Sequence, residues 1–300
     1  MLNSIKSVIR QKLTPRSKLV ILNYHQLGVE FDSKIHNKHI WNSVSFFEEQ
    51  MMYLKQNFKI VSVKDGIQSL EKGTTKETEV CITFDDGDAS IVSLAMPLLK
   101  RLNIPATFFV NTAYGVEKAG YWYNLGPYFE DQELVLASKV IRSTTESATY
   151  HDLLKLEDEC NKKYSANQSP FYCDYTFCKN CVDPLFHFGL HGHEHFRFSM
   201  LTYKQQKLNL QRNIDAMGDW ANYVPYFAVP FGQPRDWNLD TLKIARALNV
   251  IPFLAYQGYN TTHKAPFLRF SVDGVDLPSL FKNLSPFQRR YNQLNKLTAL

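Results

Sequence analysis

The chain has 300 residues, 44% hydrophobic and 21% charged, an ordinary balance for a globular protein and one that excludes a disordered or fibrous chain. No stretch approaches the roughly 18 uninterrupted apolar residues of a membrane span, and residues 1–10 lack the apolar core of a signal peptide. The net charge of +5 sits at the ends, on Lys6, Arg10, Lys12, Arg16 and Lys18, and on Lys282, Arg289, Arg290 and Lys296. The body between them is net acidic and carries no basic patch interleaved with aromatics, which excludes a nucleic-acid partner.

In residues 1–17, Leu2, Ile5, Val8, Ile9 and Leu13 fall near one helical face among basic residues. Such a segment can lie on an anionic bilayer, gaining roughly 1 kcal/mol per basic residue near the lipid, or pack on the body with its charges solvated. Residues 18–25 read as a buried strand ending in Tyr24 and His25. A helix is expected over 45–57, where Phe46, Phe47, Met51 and Leu54 have helical spacing, and a short strand over 59–63. A strand at 80–84, a helix at 91–102 and a strand at 106–111 follow. Residues 114–185 break the alternation and read as an insertion over one rim. The pattern resumes with a strand at 186–190, a helix over 204–223 and a strand at 226–230. A helix at 239–248 and strands near 251–256 and 267–272 complete the body. Alternating strands and helices imply a parallel sheet with crossover helices. The expected organisation is a basic N-terminal segment (1–17), one α/β domain (18–275) with its inserted lid, and a basic C-terminal helix or tail (276–300).

Active sites of parallel sheets collect at the C-terminal strand ends. Tyr24-His25, Asp85-Asp86, Asn111, His191–His195 and Pro230-Phe231 all fall there. Two adjacent carboxylates before Gly87 cannot both face the core. His191 and His195, four apart, would share one face of a helical turn and could grip one ion, with His193 turned away, exposed or in support. A carboxylate and two imidazoles suit a Zn²⁺-class ion that keeps a position open for water. Cys160, Cys173, Cys178 and Cys181 can hold a structural zinc or remain free thiols. Tyr121, Trp122, Tyr123, Tyr128 and Phe129 can stack on sugar faces or form the insertion's own core.

Residues 83–87 (TFDDG), 105–110 (PATFFV), 189–195 (GLHGHEH) and 227–232 (FAVPFG) stand in the order and spacing of the polysaccharide deacetylase family. The chain resembles this NodB homology domain, of the family 4 carbohydrate esterase type and its FAxPFG subgroup, over about residues 18–275. The resemblance implies a distorted, incomplete (β/α)7-type barrel. It implies Asp85 as general base, Asp86, His191 and His195 as ligands of one divalent metal, and the Phe231 backbone N–H as oxyanion donor. Zinc is the expected ion, with cobalt, manganese or nickel as alternatives and a second, structural zinc on the cysteines. Metal-activated water would attack the acyl carbonyl while Asp85 takes its proton.

The departures are also informative. Ala228 stands where many members carry the arginine that holds the base; Arg269, on the last expected strand, is a candidate replacement. The Leu-x-Leu-His motif that supplies a general acid is absent, and so is its partner tryptophan segment. The acid could come from Asp85 itself, from His25 or from the insertion. Gly192 stands where Ser or Thr is common, at a position that does not ligate. The reading is a metal-dependent hydrolase that removes an N-acetyl or other N-acyl group from a sugar or glycan. The alternatives are a non-catalytic glycan-binding module and a deformylase acting on a lipid-linked amino sugar. An odd cysteine count without a signal sequence makes the cytoplasm the expected location. The basic termini suit the inner membrane face, with a nucleotide- or polyprenyl-linked sugar as substrate.

Overall fold

The computed structural model describes residues 18–31, 38–73, 77–113 and 172–284. The N-terminal segment, the aromatics at 121–129, Cys160 and the tail beyond residue 284 lie outside the described residues. The strands are β1 (Lys18–Tyr24), β2 (Gln26–Gly28), β3 (Trp41–Ser43), β4 (Lys59–Ile60), β5 (Thr78–Phe84) and β6 (Ala106–Val110). They continue with β7 (Phe186–Leu190), β8 (Tyr223–Ala228), β9 (Ile251–Leu254), β10 (Phe267–Leu268) and β11 (Phe270–Ser271). β1, β5, β6, β7, β8 and β9 pair in that order, every pair parallel. β10 pairs with β9 on one edge and β11 with β1 on the other, with only Arg269 between them. A single extended segment thus brings the two edges together, and the sheet curls into a seven-stave barrel.

Strand parity decides what faces inward. Leu19, Ile21, Cys81, Phe109, Ala228, Phe253 and Phe267 fill the interior, while Val20, Leu22, Val80, Ile82, Phe84 and Phe108 face the helices. Gly189 leaves room for Phe109, since a Cβ there would stand 2.8 Å from that ring. Continuing the inward set of β5, Cys81 and Thr83, brings Asp85 to the top of the barrel interior.

The helices lie outside: α1 (Val44–Asn57), α2 (Val63–Lys72), α3 (Met96–Leu102), α4 (Tyr175–Lys179), α5 (Tyr203–Met217), α6 (Leu239–Ala247) and α7 (Leu277–Lys282). Three expectations need correction. The β-branched run at 59–63 is strand only for two residues. Ser62 then caps α2 by accepting the Asp65 N–H, a stop-and-start signal that overrides local β propensity. The helix expected over 91–102 begins as a π-helical turn at Ile91–Ala95 and becomes regular only at α3, where Pro97 occupies the first turn. The helix expected over 204–223 stops at Met217, and the chain turns into β8 at Tyr223. α7, on the expected C-terminal segment, packs on the body through Phe281, whose ring lies 4.1 Å from that of Phe58.

Candidate active site

Asp85, Asp86, His191 and His195 meet at the C-terminal end of the barrel, all buried. Asp86 Oδ1 lies 3.2 Å from the Nε2 of His191 and 3.2 Å from the Nε2 of His195. His191 Nδ1 is 2.8 Å from the Ala228 carbonyl, so it carries the proton and Nε2 keeps its lone pair toward Asp86. Burial pushes the His195 imidazole below its usual pKa. Burial would raise Asp86, yet the facing imidazoles hold its carboxyl well below the usual range. A carboxylate and neutral imidazoles are the forms that ligate a cation. Among the described residues, these three are the group of His, Cys, Asp or Glu whose ligand atoms converge, all within 4.8 Å of one another. A 3.2 Å ligand separation is close to the roughly 3.4 Å edge of a tetrahedron with bonds of about 2.1 Å. The residues therefore fit a divalent ion with an open fourth side, and a cavity of about 600 Å³ lies there.

The ligand loop is not the helical turn that an i, i+4 spacing suggests. Residues 191–197 are irregular, and Gly192 and His195 both take left-handed conformations, φ +75° and +55°. Asp86 and Phe231 are left-handed as well, at φ +73° and +61°. Three non-glycine residues in that region around one cavity mark a place where surrounding contacts over-determine the backbone. His193 is not exposed. It is buried, with Nδ1 2.8 Å from Thr112 Oγ1.

Arg269 is the cation that parity places in reach of Asp85. Its guanidinium, fully buried in the barrel over the Phe109 ring, donates to both carboxylate oxygens of Asp85 at 2.7 and 2.8 Å. Asn23 Nδ2 donates to Asp85 Oδ2 at 3.0 Å and Asn23 Oδ1 accepts from Arg269 at 3.0 Å. Burial would raise the Asp85 pKa, but Arg269, aided by His191, holds it below the usual value.

His25 lines the same cavity. Its Nδ1 is 2.7 Å from Asp273 Oδ2, and Asn42 donates to the other oxygen of Asp273 at 2.8 Å. Burial alone would depress the imidazole, but the Asp273 carboxylate outweighs it and raises the pKa to about 9. Asp273 and Asn23 are missed by motif reasoning, although Asp273 sits just beyond the closing strand, where a carboxylate at a strand end is itself a signal. Phe231 also lines the cavity, its ring 4.8 Å from that of His195. His263 lies in an exposed loop. The cysteines do not assemble a site among the described residues. Cys173 and Cys178 are free thiols in the core with sulfurs 3.7 Å apart, and Cys181 is free and half-buried.

Residues 72–169 match the family described as polysaccharide deacetylase, a stretch that runs well into the segment read as an insertion. The poly-beta-1,6-N-acetyl-D-glucosamine N-deacetylase of Staphylococcus aureus (strain MSSA476) is 34% identical over 103 residues, covering 31% of this chain and 36% of the relative. The Staphylococcus epidermidis protein of that name is 40% identical over 67 residues, 22% of this chain and 23% of its own. The aligned stretch thus spans about a third or less of these curated relatives. Two solved structures share the fold. The deacetylase PplD of Streptococcus pyogenes has a TM-score of 0.57 at 16% identity, over 89% of this chain and 98% of that one. IcaB from Ammonifex degensii has a TM-score of 0.57 at 20% identity, over 90% and 96%. The matched stretches cover about a third of the chain, which is similar in sequence to polysaccharide deacetylases there and shares the barrel fold of the two solved structures over most of its length.

Proposed function

We propose that the protein is a metal-dependent hydrolase that removes the N-acetyl group of an N-acetylated glycan. One observation carries the reading. A buried carboxylate, Asp85, is held by an arginine on both oxygens and stands 3.8 Å from the Nε2 of a histidine in an Asp-His-His ligand set. A divalent ion on Asp86, His191 and His195 would polarise the acyl carbonyl and acidify a water molecule.

The chain's own residues supply the remaining steps. Asp85, kept ionised by Arg269, accepts the proton of the attacking water. The Phe231 backbone N–H, set by a left-handed residue at the cavity wall, serves the developing oxyanion. His25, with Nδ1 tied to Asp273 and protonated through neutral pH, gives its Nε2 proton to the departing amine. It thereby replaces the acid histidine missing from the sequence. Acetate and a free amine leave.

The glycan class follows the name of the staphylococcal relatives. The attachment of the sugar, free or carried on a nucleotide or polyprenyl diphosphate, and the acyl group are separated by a substrate panel. Acetate and formate release should be measured on β-1,6-linked N-acetylglucosamine oligomers, sugar nucleotides and lipid-linked sugars, with Asp85→Asn alongside. We expect acetate from at least one N-acetylated member and a loss of about 10³-fold or more in turnover in Asp85→Asn with metal content retained. No release from any member by the zinc- or cobalt-loaded protein, with glycan binding unchanged in Asp85→Asn, would replace the enzyme by a glycan-binding module. Formate in place of acetate would make it a deformylase.

A further inference from the structure

His193 stands between two ligand histidines, is buried, and is not itself a ligand. The loop that carries all three has no regular structure, so its backbone groups must find partners elsewhere. The His191 N–H reaches the Val110 carbonyl at 3.2 Å and the His193 carbonyl accepts the Ala113 N–H at 3.0 Å, and three carboxamides supply the other partners. Asn111, just past β6, donates its Nδ2 to the carbonyls of His191 at 2.6 Å and Gly192 at 3.1 Å. Asn213 Oδ1 accepts the His191 N–H at 3.0 Å, and Asn209 Oδ1 accepts the His193 N–H at 2.8 Å. Asn209 and Asn213 are four apart on α5, on one face, and both are buried.

Two of the carboxamides are themselves locked. Asn213 Nδ2 donates to Thr112 Oγ1 at 3.1 Å, and Thr112 Oγ1 is the partner of His193 Nδ1 at 2.8 Å. Asn209 Nδ2 donates to Glu194, whose other oxygen takes Arg212 at 2.7 Å. Gly192 lies close under Asn209, where a Cβ would be 3.0 Å from Asn209 Oδ1.

We infer that Asn111, Asn209 and Asn213, with His193 as the loop's internal anchor on Thr112, form a clamp that builds the metal-ligand loop before the ion arrives. They are positioning residues: they touch the loop backbone and the side chains of Thr112 and Glu194, and act through His191 and His195. The inference rests on the metal reading proposed above. It predicts a rigid apo site, so that ion binding orders little of the chain, unlike domains that fold around their metal. Partners that orient ligands typically account for 10–100-fold in affinity.

The test is zinc affinity of the demetallated full-length protein, measured by competition with a chromophoric chelator, together with apo thermal stability. Four proteins are compared: wild type, Asn213→Leu, Asn213→Asp and Lys207→Ala, an exposed position of the same helix. Leucine removes the side-chain acceptor for the His191 N–H and leaves it the Val110 carbonyl at 3.2 Å; aspartate keeps the side-chain acceptor. We expect zinc affinity to fall 10–100-fold in Asn213→Leu, to recover to within about threefold of wild type in Asn213→Asp, and to be unchanged in Lys207→Ala. If Asn213→Leu lowers thermal stability while binding zinc as tightly as wild type, the residue is merely structural and the inference is overturned. If Asn213→Leu does not fold, Asn111→Ser, which shortens the donor to His191 and Gly192, is read in its place by the same criterion. If the wild type binds no zinc, the metal reading itself fails, a result distinct from either.

Discussion

At the scale of single residues, His25 is the group whose charge state the site controls most visibly. Its pKa of about 9 lies above the ordinary 6.5, because the Asp273 carboxylate outweighs the burial that would depress it. The sign follows from the shift. The folded protein holds this proton more tightly than the unfolded chain, so the stabilisation is fully present below about pH 6.5 and is lost as pH rises through about 9. It amounts to at most roughly 3 kcal/mol, and less in net terms because burial pushes the Asp273 carboxyl up. As an acid, His25 should impose an alkaline limb on kcat/KM near pH 9. Acetate release followed from pH 6 to 10.5 checks this. His25→Gln should lower the rate and erase that limb, and an unchanged limb in the variant would assign the acid elsewhere.

At the scale of elements, the closing segment β10–β11 does two jobs with one residue between them. Phe267 and Leu268 pair with β9, Phe270 and Ser271 with β1, and Arg269 points inward to Asp85. Removing one partner of a buried ion pair leaves an uncompensated charge, at about 3–5 kcal/mol. Arg269→Met should therefore destabilise by about that amount at pH 7, measured by urea unfolding, with part of the loss recovered at acid pH as Asp85 takes up a proton. A change below 1 kcal/mol would mean that the guanidinium does not support the carboxylate. Elements also show what can be read locally. The long strands and the helices at 44–57 and 239–247 follow from apolar spacing and caps. The ligand loop does not: a spacing of four fits a helical turn, and carboxamides from residue 111 and from α5, with the main chain of Val110 and Ala113, hold the irregular form. α2 is the converse case, since Ser62 and Asp65 carry a capping signal that the β-branched run obscures.

At the scale of the whole molecule, the barrel converts sequence separation into contact. Asp85 and Arg269 are 184 residues apart and His25 and Asp273 are 248 apart, yet each pair is hydrogen-bonded at the same rim. The proposed base and metal ligands could be picked out from the sequence because each sits near a strand end inside a recognisable motif. Arg269 was legible only as a cation on the last strand, and Asp273 not at all, because their roles depend on the closure that brings β11 beside β1. The central claim is that this closure builds one metal site from Asp86, His191 and His195. The most direct test is the metal content of the purified protein and of a His191→Ala/His195→Ala variant, by elemental analysis after loading with zinc. One equivalent in the wild type and none in the variant is the predicted result. No metal in either protein, or equal metal in both, would contradict it.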